Sequence, residues 1–285
     1  MATNASVVTR FAPSPSGDLH LGHAFAALFA AARADEADGV FLLRIEDIDV
    51  GRCRPEFEAA IAEDLAWLGL SWQTPVRRQS DHMGDYSQAL GRLRAGRLVY
   101  PCFCTRKQIA AEIASSPAAP HGSAGPVYPG TCRGLSRDET EQRLAAGDGY
   151  ALRLRMDEAL AAAGGDLTFD EAGQGSVPCD PKPFGDVVLA RKDIATSYHL
   201  AVTVDDAIQG VTLVTRGRDL FDATHVHRLL QALLGLPTPA YRHHRLIADD
   251  TGQRLAKRAA GETLRDLRAS GVSADDMRRT LGFGE

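Results

Sequence analysis

Arg10-Phe11-Ala12-Pro13-Ser14-Pro15-Ser16-Gly17-Asp18-Leu19-His20-Leu21-Gly22-His23 is the stretch from which the rest of the chain can be read. The apolar run 7–12 stops at Pro13, and the Pro/Ser/Gly sequence beyond it cannot continue a strand. Residues 7–12 therefore read as a buried strand followed by a tight loop. Residues 21–37 are rich in Ala, Leu and Phe with no breaker after Gly22, so a helix starts there. A strand, a loop and two histidines at the opening of a helix make an anion site, because the free N–H groups of the first turn and the imidazole donors converge. Gly22, lacking a Cβ, would let a nucleotide come close to the backbone. The plainer alternative is a loop with incidental histidines.

Outward from this stretch, residues 40–45 form a second strand and residues 55–68 an amphipathic helix, with Pro55 in its first turn and Gly69 as its stop. Residues 86–95 make another helix, closed by Gly96. Strand, helix, strand, helix in this order predicts a parallel sheet with helices on its faces, an α/β fold. Residues 114–130 are dominated by Ser, Pro, Ala and Gly and read as a flexible loop. Residues 150–194 hold short strand-like runs (151–156 and 186–190) between Gly- and Pro-rich turns, the pattern of an insert of mixed, largely β character. Alternating patterning resumes over 197–207 and 211–215, and 219–234 is helical. There is no internal repeat.

Composition bounds the function. The chain has 285 residues, 44% hydrophobic and 24% charged, ordinary for a soluble globular enzyme. No apolar run approaches the roughly 20 residues of a membrane span, and the N-terminus lacks the apolar segment of a secretory signal. The expectation is a cytoplasmic monomer without a membrane partner. The net charge of −5 means that any RNA contact must come from a local basic patch. Only four of the 32 basic residues are lysines (Lys107, Lys182, Lys192 and Lys257), so a retained lysine draws notice. Five cysteines, an odd number, do not read as a disulfide framework. Cys102-Phe103-Cys104 and then Cys132 instead suggest three thiolate ligands of a tetrahedral zinc, with Tyr128 or His121 as the fourth. Free, buried thiols are the alternative; Cys53 and Cys179 read as structural.

Two further stretches carry chemistry. In Leu43-Arg44-Ile45-Glu46-Asp47, alternation puts Arg44 and Glu46 on one face, and a carboxylate at the end of a parallel strand sits where α/β proteins bind ligands. Tyr198 and Arg216 lie in two later motifs, and the planar fork of an arginine suits a substrate carboxylate. The remaining histidines show no clear role, and His225 and His227 would point to different faces of a helix.

The opening stretch resembles the His-Ile-Gly-His signature of class I aminoacyl-tRNA synthetases, and its Arg-Phe-Ala-Pro-Ser-Pro-Ser-Gly flank resembles the glutamyl/glutaminyl branch. The resemblance runs from about Val7 to Arg258. It implies a Rossmann-like catalytic core, split over 1–100 and 196–245, with an inserted zinc-bearing α+β subdomain at 101–195. Residues 246–285 would hold a signature loop and a short helical end, with no anticodon-binding domain. By the same resemblance His20, Gly22 and His23 bind ATP, with the two histidines on its phosphates in the transition state. Arg10, Ala12, Ser14, Glu46, Tyr198 and Arg216 would bind glutamate, with Arg10 on the side-chain carboxylate and Glu46 on the α-ammonium. Gly252 to Arg258 falls where the family carries Lys-Met-Ser-Lys-Ser. There Arg254 and Ala256 depart from the pattern, while Lys257 keeps the cation that steadies the leaving pyrophosphate. The Cys102, Cys104, Tyr128, Cys132 spacing is that of the zinc set in glutamate-transferring relatives.

The implied reaction needs no protein nucleophile, only positioning and charge stabilisation, with Mg2+ carried mainly by the ATP phosphates. A full glutamyl-tRNA synthetase continues into a helical anticodon-binding region, whereas here 28 residues follow Lys257. The pattern resembles the glutamyl-Q tRNA(Asp) synthetases, which would make the acceptor the queuosine base in the anticodon of tRNA(Asp). Two other readings stay open: a minimal synthetase charging a tRNA 3′ end, and a non-catalytic paralogue that binds RNA or a partner.

Overall fold

The computed structural model describes residues 6–115, 121–122, 125–247 and 262–284. In chain order the first elements are β1 (Val8–Phe11), α1 (Leu21–Asp35), β2 (Val40–Ile45), α2 (Pro55–Trp67), β3 (Gln73–Arg78), α3 (Met83–Ala95) and β4 (Val99–Cys102). After them come α4 (Arg106–Ser115), the two-residue strands β5 (His121–Gly122) and β6 (Gly125–Pro126), α5 (Arg137–Ala145), β7 (Ala151–Leu154), α6 (Met156–Ala163), β8 (Thr168–Glu171), β9 (Gly175–Pro178) and β10 (Val188–Ala190). The last are α7 (Tyr198–Ile208), β11 (Leu213–Gly217), α8 (Ala223–Leu234), β12 (Ala240–His244), α9 (Leu264–Ala269) and α10 (Ala274–Leu281).

β1, β2 and β3 form a parallel sheet in that order. Five of the six residues of β2 are buried, the continuous apolar run of a strand covered on both faces. A second sheet, ordered β11-β12-β8-β9, adjoins β1, where the Thr212 amide donates to the Val8 carbonyl at 3.0 Å. The chain therefore runs outward from β1 through β2 to β3, then returns to lay β11 against the other edge of β1. That reversal is a topological switch point, and a crevice opens there at the carboxyl ends of β1 and β11.

Local sequence explains the helices around it. α2 opens with Pro55 at its first position and with Glu56 and Glu58 in its first turn, where negative charge is favoured. It stops at Gly69, whose φ of 76° a side chain rarely adopts. One core packs α1 and α2 against Leu264 of α9 and Met277 and Leu281 of α10. A second packs α3, α7 and α8 against β7, α6 and β10. The segment before α7 is thus welded to the rest of the fold: β8 pairs with β12, and Leu154 and Met156 share a core with Leu200 and Leu229. No helix among the described residues is long and apolar enough to cross a membrane.

Two expectations are corrected. Residues 197–207, alternating in sequence, are helical: Ser197 accepts the Leu200 amide as N-cap, and α7 runs to Ile208. Asp205 and Asp206 are buried beside Leu200, Ala201 and Val204, so both polar and apolar faces of this helix point inward and the helical period is masked. Residues 150–194, taken as largely β, also contain the helix α6.

Candidate active site

The opening of α1 is built from its own histidines. His20 is the N-cap; its Nδ1 accepts the Gly22 amide at 3.1 Å, and His23 Nδ1 accepts the His20 amide at 3.3 Å. An imidazole nitrogen that accepts carries no proton, so both rings keep theirs on Nε2, an assignment fixed by the backbone donors. The ring centroids are 3.9 Å apart. Burial pushes His23 down to about 4, with His20 adding to it, and burial lowers His20 as well. At neutral pH the pair therefore offers two neutral N–H donors at a helix N-terminus. A Cβ on Gly22 would stand 3.0 Å from His20 Cε1, so the cap itself favours a glycine here, since a larger residue would have to shift the ring.

Below this lies a buried charge network. Arg10 donates to Asp206 through Nε at 3.0 Å and to the Thr215 carbonyl at 3.0 Å. Arg44, fully buried, donates to Asp206 Oδ1 at 2.8 Å and to Glu46 Oε1 at 3.2 Å. Asp205 accepts from Arg77 at 2.7 Å, from Gln79 at 2.8 Å and from Tyr86 at 2.9 Å. Burial works against the Asp206 carboxylate, but Arg10 and Arg44 hold it below the usual carboxylate range. Burial wins at Glu46 and raises it, partly offset by Arg44 and Arg10.

Arg216, on β11, is different: its partners are neutral. Nε donates to His243 Nε2 at 3.1 Å, one terminal nitrogen to Tyr198 Oη at 3.3 Å and His227 Nδ1 at 3.1 Å, and the other to Thr224 Oγ1 at 2.6 Å. Among the described residues no carboxylate is in ion-pair range of it. Arg10, Ala12, Ser14, Glu46, Tyr198 and Arg216 line one cavity of about 380 Å³, which His23 also borders. Ser14, Ser16, Glu46 and Tyr198 are shared with a second cavity of about 870 Å³ that reaches Cys104, Arg106 and Lys192. Lys257, Arg254 and Ala256 lie outside the described residues.

At the far end of the larger cavity, Cys102, Cys104 and Cys132 bring three sulfurs within 4.8 Å of one another. Tyr128 Oη lies 3.4 Å from Cys102 Sγ and 3.7 Å from Cys104 Sγ. These spacings fit a tetrahedral zinc, for which Zn–S of about 2.3 Å gives ligand separations of this size. The side chain of His121 is outside the described residues.

Sequence reasoning missed Gln79, which lines the larger cavity, and the groups behind the wall: Asp205, Asp206, Arg77, Tyr86, Thr224, His227, His243 and Glu171. One signal was available. An arginine inside an apolar strand, as Arg44 is, demands a buried carboxylate, and the adjacent Asp205 and Asp206 at the end of an apolar run were the place to look.

The description "tRNA synthetases class I (E and Q), catalytic domain" belongs to the family model that matches residues 6–281. A glutamyl-Q tRNA(Asp) synthetase of Rhodobacter capsulatus is 52% identical over 97% of this chain and 100% of its own length. That of Symbiobacterium thermophilum is 44% identical over 96% of this chain and 85% of its own. Among solved structures, a glutamate tRNA ligase from Elizabethkingia meningosepticum in complex with its amino acid superposes with a TM-score of 0.72 at 26% identity. It covers 94% of this chain, which spans about half (53%) of that one. A methionyl-tRNA synthetase of Mycobacterium tuberculosis shares the fold at a TM-score of 0.61. With the switch-point cavity, the capped histidine pair and the buried arginines in place, the chain belongs to the class I tRNA synthetases of the E and Q catalytic-domain family, and within it to the glutamyl-Q tRNA(Asp) synthetases.

Proposed function

We propose that the chain activates glutamate with ATP, forming glutamyl-adenylate, and transfers the glutamyl group to the queuosine base in the anticodon of tRNA(Asp). One observation carries the first half. Arg216 is a buried cation with only neutral partners among the described residues, and Glu46 is a carboxylate on the same cavity of about 380 Å³. An amino acid with a second carboxylate matches both, its side chain on Arg216 and its ammonium on Glu46, whose ionised form that ammonium would favour. Arg10, expected on the side-chain carboxylate, is paired with Asp206 and joins Arg216 at the wall of this pocket, which Ala12, Ser14 and Tyr198 complete.

In the reaction an oxygen of the substrate α-carboxylate attacks the α-phosphorus of ATP. The bond to the β-phosphate oxygen breaks, and pyrophosphate leaves with the electron pair. His20 and His23 offer Nε2–H donors to the phosphates beside Gly22, and being neutral they need lose no proton to do so. Lys257 is assigned the leaving charge by its place in the sequence. Mg2+ would travel with ATP. For the acceptor, support comes from the larger cavity, which shares Glu46 and Tyr198 with the glutamate pocket and carries Arg106 and Lys192 at its outer end.

Pyrophosphate exchange with glutamate and ATP, without tRNA, tests the activation step; no exchange would sink it. The acceptor is tested with tRNA from normal and queuine-starved cells. Base-linked glutamate is expected on the first only, whereas equal labelling of both would point to the 3′ end.

Zinc is proposed on Cys102, Cys104, Cys132 and Tyr128, tying the loop after α4 to β4 as a structural ion. The Cys132 amide donates to Tyr128 Oη at 2.8 Å, a bond that suits an anionic phenolate ligand. About one zinc per chain is expected by elemental analysis. Cys104→Ser should lose it and lower Tm, and an unchanged metal content in that variant would refute the site.

A further inference from the structure

The two rings beside Arg216 fix a direction of hydrogen bonding. A guanidinium can only donate, so His243 Nε2 must accept and the His243 proton must sit on Nδ1. That Nδ1 faces Glu171 Oε2 at 2.7 Å, and Glu171 Oε1 accepts the His243 backbone amide at 2.9 Å. The side chains of His243 and Glu171 are 0% and 2% exposed, and neither lines either cavity. On the other side His227 Nδ1 accepts from Arg216, so its Nε2–H donates to His199 Nδ1 at 3.1 Å. Burial, with Arg216 adding to it, pushes His243 down to about 4, so the ring between the two charges is neutral at physiological pH. Glu171 comes from the end of β8, brought there by the parallel pairing of Glu171 with Tyr241.

We propose that Glu171 is a positioning residue for the substrate's side-chain carboxylate, acting on Arg216 through His243. It sets the imidazole proton on Nδ1, so that Nε2 accepts from Arg216 Nε and holds the guanidinium in place. A carboxylate in direct contact would neutralise Arg216 and compete with the substrate. One neutral ring between them keeps the countercharge while leaving the cation free for a ligand. A segment that contributes no side chain of β8 to the cavity thereby governs its recognition.

This rests on the reading that the cavity takes glutamate. Glu171→Gln isolates the polarity, because the amide oxygen can still accept the His243 backbone N–H. Its NH2 then meets Nδ1 and moves the imidazole proton to Nε2, against the Arg216 N–H. Pyrophosphate exchange measured against glutamate and against ATP should show KM for glutamate up by about tenfold or more, equivalent to about 1.4 kcal/mol, with KM for ATP within about twofold. Glu171→Asp should restore part of the affinity. In 15N-histidine-labelled protein, Nδ1 of His243 should be protonated in the parent and Nε2 in Glu171→Gln. An unchanged KM for glutamate, equal rises in both KM values, or an Nε2-protonated His243 in the parent would each overturn the proposal. A parent enzyme without glutamate-dependent exchange would overturn the functional reading and this inference together, a result distinct from an active parent with an indifferent Glu171→Gln.

Discussion

Arg216→Gln is expected to lower kcat/KM for glutamate in pyrophosphate exchange by roughly 10²–10³-fold, almost wholly through KM for glutamate. The estimate follows from removing one side of a buried charge pair, which costs about 3–5 kcal/mol, at about 1.4 kcal/mol per tenfold. In the proposed complex the substrate carboxylate meets a guanidinium that has no carboxylate partner among the described residues, so its loss falls on binding. Arg216 also serves Tyr198, His227, Thr224 and His243 from three nitrogens in one plane. A lysine ammonium has three donors and no plane, so Arg216→Lys should fail to rescue. KM for ATP should stay near the parent value, because the His20–His23 pair stands apart from these bonds. A loss below about tenfold in Arg216→Gln would remove Arg216 from substrate binding.

How much of this was legible follows from range. The opening strand, the helix at Leu21 and the strand ending at Ile45 each depend on residues a few positions apart, and the structure has all three. The residues singled out in those stretches, Arg10, Ala12, Ser14, His23 and Glu46, do line one cavity with Tyr198 and Arg216. What holds them was not legible, because the partners are remote in sequence. Asp206 is 196 residues from Arg10, and Glu171 is 72 from His243. A lone buried acid gives no sign of which base it will meet. His227 and His243 looked idle for the same reason: each becomes meaningful only when folding brings it against Arg216. α7 was misread because two aspartates inside it are buried by arginines, which erases the amphipathic stripe that marks a helix. Gly22 had a nearer cause than the nucleotide, the imidazole of the cap two residues before it.

Asp206→Asn is expected to destabilise the fold by about 3–5 kcal/mol at pH 7, because it leaves two buried guanidiniums without their shared carboxylate. At roughly 2–4 °C per kcal/mol for a chain approaching this size, Tm should drop by about 10 °C. An asparagine oxygen in the place of Oδ1 still accepts two of the three bonds, from Arg10 at 3.0 Å and Arg44 at 2.8 Å, but without the charge, and its NH2 turns against the Arg10 nitrogen that now donates at 3.4 Å. The pH dependence gives the sharper check. The folded carboxyl of Asp206 is held below its ordinary value of about 3.9, so its contribution is present above that value. It is lost as pH falls through the lower folded value. The stability gap between parent and variant, measured by urea unfolding, should therefore be full at neutral pH and shrink on acidification below about pH 4. A gap of equal size across that range would mean that Asp206 acts by shape and not by charge. Catalysis should suffer with stability, since without Asp206 the two guanidiniums lean harder on Glu46, already 3.2 Å from Arg44, and Arg44 on Asp205 at 3.8 Å. Glu46 already accepts one bond from Arg44, and a Glu46 drawn further into that pairing would offer less to a substrate ammonium, so the residue that secures the core also limits the arginines' hold on the pocket's carboxylate.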